Sequence, residues 1–215
     1  AIGDWEDSSN TERFGFIKDS IYGCRDAALR HNALAGYYAC ITHVDHQIGR
    51  LLTALMESGE YENTVIIFLS DHGELLFDHH LYRKVFPYEG STHIPLLIRT
   101  GKNVCPTAPI RSNTLAELRD ILPTILDFAH LPIPEGVDGF SLVPEITGTG
   151  HNNRSYLHGE HSFHSRLSNQ FIVTETDKYI WYSETGEEEY FYLALDPREQ
   201  HNAINDPQYQ ERIDW

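Results

Sequence analysis

Between residues 34 and 55, Leu34, Tyr38, Ile41, Asp45, Ile48, Leu52 and Leu55 recur at steps of three and four. That period predicts a long helix whose stripe faces a partner. Gly59 follows Glu57 and Ser58 and suits the position just past a helix end, where left-handed backbone closes the last turn. From Thr64 to Leu69 the pattern changes to an unbroken run rich in Val and Ile. Lack of alternation predicts a strand covered on both faces, as in a central parallel strand. A helix leading into such a strand is half of a βαβ unit. A second apolar run, 95–99, predicts another buried strand.

Further on, Asp120 precedes Ile121, Leu122 and Pro123, which reads as an N-cap with proline in the first helical turn. That helix is expected to end near Ala129, before Pro132. Thr114 and Glu117 have the spacing of a capping box and offer a second start. Repeated Pro and Gly in 131–153 mark a loop and a boundary. Beyond it, 156–161, 170–175, 178–183 and 189–195 read as short strands of an antiparallel meander. Tyr179, Trp181, Phe191 and Leu193, at spacing two, are expected in its core. Residues 1–25 read as an irregular entry.

The expected fold class is therefore α/β: a partial sheet with flanking helices in residues 1–150, then a small antiparallel sheet in 151–215. Two strands buried on both faces do not make a complete parallel sheet. The rest is expected from chain lying upstream, in keeping with a first residue that is not Met.

Composition narrows the function. The chain has 215 residues, 40% of them hydrophobic, enough for a real core. A formal net charge of -16 argues against nucleic acid and anionic membrane surfaces as partners. No apolar run is long enough to span a bilayer. Cys24, Cys40 and Cys105 are an odd number with no paired motif, so buried thiols rather than disulfides or zinc are expected, which favours a cytoplasmic setting. In a chain this acidic, a site for an anion needs local positive charge.

The segment 65–99, VIIFLSDHGELLFDHHLYRKVFPYEGSTHIPLLIR, supplies it. Sites in open α/β folds form beyond the carboxyl ends of strands, where Ser70, Asp71 and His72 stand. Asp71 offers carboxylate oxygens and His72 an imidazole nitrogen, a pair able to ligate a divalent cation. The plainer reading makes Asp71 a cap and His72 an ordinary loop histidine. Gly73 permits a sharp turn. Lys84, thirteen positions after Asp71, can place a point charge on a tetrahedral oxyanion, or be a solvated lysine. His79 and His80 can donate to the same oxyanion or protonate a leaving oxygen, or be a surface pair beside Asp78. His93 abuts the second strand, as a site residue or a structural one.

Taken in order, SDHGE after an apolar strand, DHHLYRK, and PYEGSTHIPLLI resemble the sulfatase family of the alkaline phosphatase superfamily. The helix and strand before them, RDILPTILDFAHL and VDGFSLVPEITG after them, and the ending GEEEYFYLALDPREQHN are also similar to that family. The resemblance covers most of the chain and matches the family's C-terminal portion. It implies an alkaline-phosphatase-like sheet and a metal-dependent hydrolase of sulfate esters. By resemblance, Asp71 and His72 are metal ligands, Lys84 contacts sulfate and nucleophile, and His79 is the histidine of a Gly-Asp-His element. His80 stands where the family has glycine, and Leu76 and Phe77 where it has a small residue. His80 and His93 are candidate substrate contacts. The resemblance implies Ca²⁺, with Mn²⁺ allowed by the imidazole, and a formylglycine nucleophile made from a C/S-x-P-x-R motif. That motif does not occur here: Cys105 begins CPTAP, with the wrong spacing and no Arg. The N-terminal half of the same protein is thus an expected partner, and the chain alone is expected to be inactive. The alternatives are a phosphonate or phosphate ester hydrolase of the same superfamily, or a non-catalytic interaction module. His158, Glu160, His161 and His164 form a secondary cluster, read as a substrate rim, plain surface or a metal site; the acidic stretch 186–190 reads as a solvated turn.

Overall fold

The structure is a computed structural model, and it describes residues 27–161 and 167–214. The expected entry segment, Cys24 and His164 lie outside the described residues. Packing divides the chain into two units that alternate along the sequence.

The long helix exists. α1, Ala27–Glu57, is 31 residues long. It ends as anticipated at Gly59, whose φ is 78°. Gly59 N–H donates to Met56 O (3.1 Å) and Glu60 N–H to Leu55 O (3.1 Å), the crossed pair that closes a left-handed helix end. The apolar stripe is only partly covered: Leu34, Ile48, Leu52 and Leu55 are half-buried, while Tyr38 is 59% and Ile41 50% exposed.

In the unit formed by residues 40–71 and 95–157, β1 (Ile66–Leu69) and β2 (Leu96–Arg99) occupy the two apolar runs. The expectation of a parallel strand buried on both faces is corrected. β1 and β2 pair antiparallel, with Ile66 opposite Arg99 and Leu69 opposite Leu96. Phe68 is 41% and Leu97 59% exposed. An unbroken apolar run reports a tendency to be covered, not the direction of the neighbour or whether the cover lies within the same chain. Arg99 fixes this sheet to the loop after α1: its guanidinium donates to Tyr61 O at 2.6 Å, pairs with Glu62 at 3.0 Å and lies over the Tyr61 ring.

The next helix, α3 (Ile121–Phe128), ends one residue before the expected Ala129. The short helix α2 (Glu89–Thr92) precedes β2 and belongs to the site below. Asp120 plays a larger part than a cap. It lies in a 3-10 turn, Leu118–Asp120, whose capping box is formed by Glu117 and Asp120 rather than Thr114 and Glu117. Its fully buried carboxylate receives two Arg154 bonds (2.7 and 2.8 Å) and the N–H groups of Glu117 and Phe140 (2.8 Å each). Burial pushes the Asp120 carboxyl up, but Arg154 and the two N–H donors outweigh it and hold it below its ordinary value. Thr124 Oγ1 donates to Asp120 O and accepts from Leu142 N, tying α3 to α4 (Val143–Thr147).

The unit formed by residues 1–39, 72–94 and 158–215 carries the antiparallel sheet β3 (Leu157–His161), β4 (Asn169–Val173), β5 (Asp177–Tyr182) and β6 (Glu187–Tyr192), in that order. All four strands fall close to the expected positions. Gly159 in β3 is required by packing: a Cβ there would lie 2.1 Å from the Phe171 ring. The expected core face of β5 is corrected. Lys178, Ile180 and Tyr182 point inward and are buried, whereas Trp181 is 37% exposed. Ile180, Tyr182 and Phe191 pack with Leu75, Leu81, Phe86 and Tyr88 into one cluster. The inward face is marked by Lys178, and a lysine takes such a place only when carboxylates meet it there. The acidic stretch 186–190 is not simply a solvated turn, since Glu189 within it is buried. A final 3-10 turn, Pro207–Tyr209, leads into α5 (Gln210–Ile213).

Candidate functional site

Asp71 and His72 follow the carboxyl end of β1 after Ser70, where the strand-end argument puts them. Asp71 is exposed and His72 half-buried. His72 Nδ1 lies 2.9 Å from Gly73 O. A carbonyl only accepts, so Nδ1 carries a proton; in the neutral ring that leaves Nε2 as the atom able to ligate a metal. Among the described residues no group of three or more His, Cys, Asp or Glu side chains is arranged to hold a metal ion. By chemistry alone, Asp71 offers a hard carboxylate and His72 an imidazole nitrogen, donor types that a divalent cation takes.

Gly73 makes the turn possible. Its N–H donates to Ser91 O at 2.8 Å, and a Cβ on it would lie 2.1 Å from Gly90 O. The backbone at Gly73 therefore rests directly on that of the one-turn helix α2 (Glu89–Thr92).

From Leu76 to Val85 the chain forms a tight, strained loop. Leu76, Phe77, His79, His80, Arg83 and Val85 all have positive φ, between 48° and 109°. Side chains with a Cβ rarely hold such conformations, and Val85, being β-branched, resists most. Strain of this kind persists only where surroundings over-determine the backbone. Leu75 N–H donates to Arg83 O (2.8 Å) and Phe77 N–H to Leu81 O (2.7 Å). The Glu74 carboxylate accepts the N–H of Arg83 and, at 3.4 Å, that of Leu76. Leu75, Phe77 and Leu81 are buried and anchor the loop from below. Glu74, the last residue of SDHGE, thus acts as the clamp at the loop neck, a role the sequence reading did not assign.

This loop carries three of the candidates. Lys84 is exposed beside the loop neck, next to Arg83, and its charge, after burial, helps lower the basicity of His161 on β3. His79 stacks on Tyr88, with centroids 3.9 Å apart and planes 9° from parallel. His80 is buried rather than a surface residue. His93 lies just past α2, exposed, with Nδ1 2.6 Å from Glu89 Oε2; that bond raises its basicity against the opposing effect of burial. Residues of the secondary cluster in 158–161 lie on β3, and His158 lines a shallow sheet-face cavity of about 250 Å³ together with Phe171, Tyr179 and Trp181.

Beneath α2 lies a buried ionic group that the sequence did not reveal. The Lys178 side chain is fully buried, with Nζ 2.6 Å from Glu89 Oε1, 2.8 Å from Glu199 Oε1 and 3.3 Å from Thr92 Oγ1. Glu199 Oε2 accepts the Glu89 N–H at 2.6 Å. Burial pushes Glu89 up, but His93 and Lys178 outweigh it and hold its carboxyl at about 2. For Glu199 burial prevails over Lys178 and the Glu89 N–H, and its carboxyl is pushed up to about 7. A second buried acid, Glu189, receives the Tyr88 hydroxyl at 3.0 Å and that of Tyr182 at 3.5 Å. No local pattern announces these partners: Glu199 stands between Arg198 and Gln200, and Glu89 lies 89 positions before Lys178.

Sequence comparison decides the lineage. The family description Sulfatase matches residues 4–131, and N-sulphoglucosamine sulphohydrolase, C-terminal, matches residues 77–214. The chain belongs to the sulfatase family. It is 45% identical, over its whole length, to 44% of an arylsulfatase of Clostridium perfringens. It thus spans less than half the length of this curated relative. A crystal structure from Bacteroides thetaiotaomicron superposes with a TM-score of 0.82 over 99% of this chain and 48% of that one, at 22% identity, which shows the shared fold. The phosphonate monoester hydrolase of Agrobacterium radiobacter superposes with a TM-score of 0.72 at 30% identity, over 82% of this chain and 38% of that one. The expected membership of the family, the α/β fold and the correspondence to a C-terminal portion are borne out.

Proposed function

We propose that this chain is the C-terminal part of a metal-dependent sulfuric ester hydrolase, to which it supplies two metal ligands and the lysine that holds the sulfate. The observation that carries the reading is the strained loop 76–85, clamped by Glu74, which presents exposed Lys84 after a His72 whose tautomer suits a metal. In a sulfatase-family chain, the resemblance of SDHGE and DHHLYRK to the family's motifs supports these roles.

Asp71 and His72 would hold the cation, Ca²⁺ by family resemblance or Mn²⁺, with the remaining ligands contributed by upstream chain. When bound, the metal supplies positive charge to the non-bridging oxygens of the ester. Lys84 would place its ammonium beside another of those oxygens and offset the negative charge spread over them in the transition state, while the charge growing on the departing oxygen is met by His79. His79, held against Tyr88, donates a proton to the departing oxygen. His80 and His93 complete the donor set around the substrate. The nucleophile, a formylglycine, belongs to upstream sequence, so the isolated 215-residue chain is expected to show no turnover.

A second reading, a phosphonate or phosphate ester hydrolase, is favoured by the likeness to the Agrobacterium enzyme, because Asp71, His72 and Lys84 suit any tetrahedral oxyanion. The test is the full-length protein's kcat/KM on 4-nitrophenyl sulfate against phenyl phosphonate esters. Sulfate turnover at least tenfold the faster supports the sulfatase reading; the reverse order replaces it with the second.

A further inference from the structure

We propose that Lys178 is a positioning residue for the site: its ammonium, shared between Glu89 and Glu199, fixes α2, the element on which both the His72–Gly73 turn and the His79 ring are seated. The kinetic part of this inference rests on the sulfatase reading above; the structural part does not.

A fully buried lysine on the inward face of β5 is a costly choice for packing alone. A methionine would fill similar volume without desolvating a charge. What the lysine adds is direction. Its three contacts, to Glu89, Glu199 and Thr92, reach both ends of α2 and the DPRE segment. Glu199 in turn holds the first N–H of α2 through Glu89. The residue therefore sets where α2 lies against the sheet.

The position of α2 is transmitted without slack. Gly73 meets the backbone of Gly90 and Ser91 so closely that not even a methyl group fits between them. Tyr88, directly before α2, carries His79 on its ring face. A shift of about 1 Å in α2 must move the turn bearing His72, the stacked His79, or both, and displacements of that size reduce rates by roughly a hundredfold.

The experiment uses the full-length protein with Lys178→Met, Lys178→Arg and Lys178→Met/Glu199→Gln, reading kcat and KM on 4-nitrophenyl sulfate and hydrogen exchange of the Gly73 and Phe77 amides. In folded Lys178→Met, kcat is expected to fall at least tenfold with KM within about threefold, and both amides to exchange at least tenfold faster. The double variant regains at least threefold in kcat, because one of the two stranded carboxylates is gone. Lys178→Arg keeps the charge but not the fit. It carries the test if Lys178→Met does not fold, and is expected to lose at least fivefold in kcat with faster exchange at Gly73. Wild-type kcat and exchange in a folded Lys178 variant, or a double variant no better than the single, overturn the proposal. If the wild-type enzyme turns over no aryl sulfate, the functional reading fails on its own, and unchanged exchange at Gly73 is then the result that overturns the positioning role.

Discussion

His79 lies flat against Tyr88, 3.9 Å between ring centroids, and the Tyr88 hydroxyl reaches Glu189 on β6. One tyrosine therefore links a candidate proton donor on the strained loop to a buried acid in the sheet. Tyr88→Phe is expected to keep the stack and activity within about threefold while costing about 1–3 kcal/mol, since buried Glu189 loses a donor. Tyr88→Leu removes the stack too, and kcat is expected to fall a further tenfold or more. Denaturant melts and steady-state kinetics on the two variants separate the roles.

Gly73→Ala puts a methyl group against Gly90 O, where the ideal Cβ position is 2.1 Å away. Backbone cannot yield as a flexible side chain does, so the turn must open. The expected cost is on the order of 1–3 kcal/mol, with loss of metal-dependent turnover. Gly59→Ala, with nothing within 4 Å but φ of 78°, should cost about 1 kcal/mol from backbone strain alone and leave activity unchanged. A Gly73→Ala enzyme with wild-type kcat would show that the close approach is not needed.

Arg154→Met leaves the fully buried Asp120 carboxylate without its bidentate partner. The expected loss is about 3–5 kcal/mol, read as a lower denaturation midpoint. Asp120→Asn/Arg154→Met removes the stranded charge and is expected to recover part of that loss. A single variant within 1 kcal/mol of wild type contradicts the assignment.

The two acids around Lys178 give opposite pH signatures. Glu89, held at about 2, contributes stability that is present above its unfolded value of about 4.3 and disappears as pH falls towards 2. Glu199, pushed up to about 7, binds its proton more tightly folded than unfolded. Its contribution is therefore lost as pH rises from about 4.3 through 7. Glu199→Gln should flatten the decline of stability between pH 5 and 7.5, while Glu89→Gln should flatten the acid limb. Melting temperatures from pH 3 to 8 measure both, and parallel profiles for Glu199→Gln and wild type would contradict the Glu199 assignment.

Much of the fold could be read from periodicity. α1 with its Gly59 stop, α3 and the four strands of the second sheet all lie near their expected places, because each is encoded by local spacing and punctuation. The pairing direction of β1 and β2 is set by neighbours distant in sequence and was not legible. The inward face of β5 was missed because a lysine reads as solvent-facing until Glu89 and Glu199, 89 positions before it and 21 after it, are known to surround it. The same limit applied to Asp120: its local spacing suggests a cap, whereas Arg154, 34 residues on, makes it the centre of a buried ion pair. At the candidate site, the sequence offers Asp71, His72 and Lys84 as donor chemistry, and the metal and turnover measurements below test those roles. The clamp by Glu74 was not legible, since nothing in the sequence announces six consecutive-region residues with positive φ.

The most direct test of the functional account pairs Lys84→Ala with Asp71→Asn in the full-length protein, measuring aryl sulfate turnover and bound metal together. The account predicts that Lys84→Ala retains the metal but loses about 10²–10³ in kcat, as removal of an oxyanion donor does, while Asp71→Asn loses both metal and turnover. A Lys84→Ala enzyme with undiminished kcat, or an Asp71→Asn enzyme with full metal content, would contradict it.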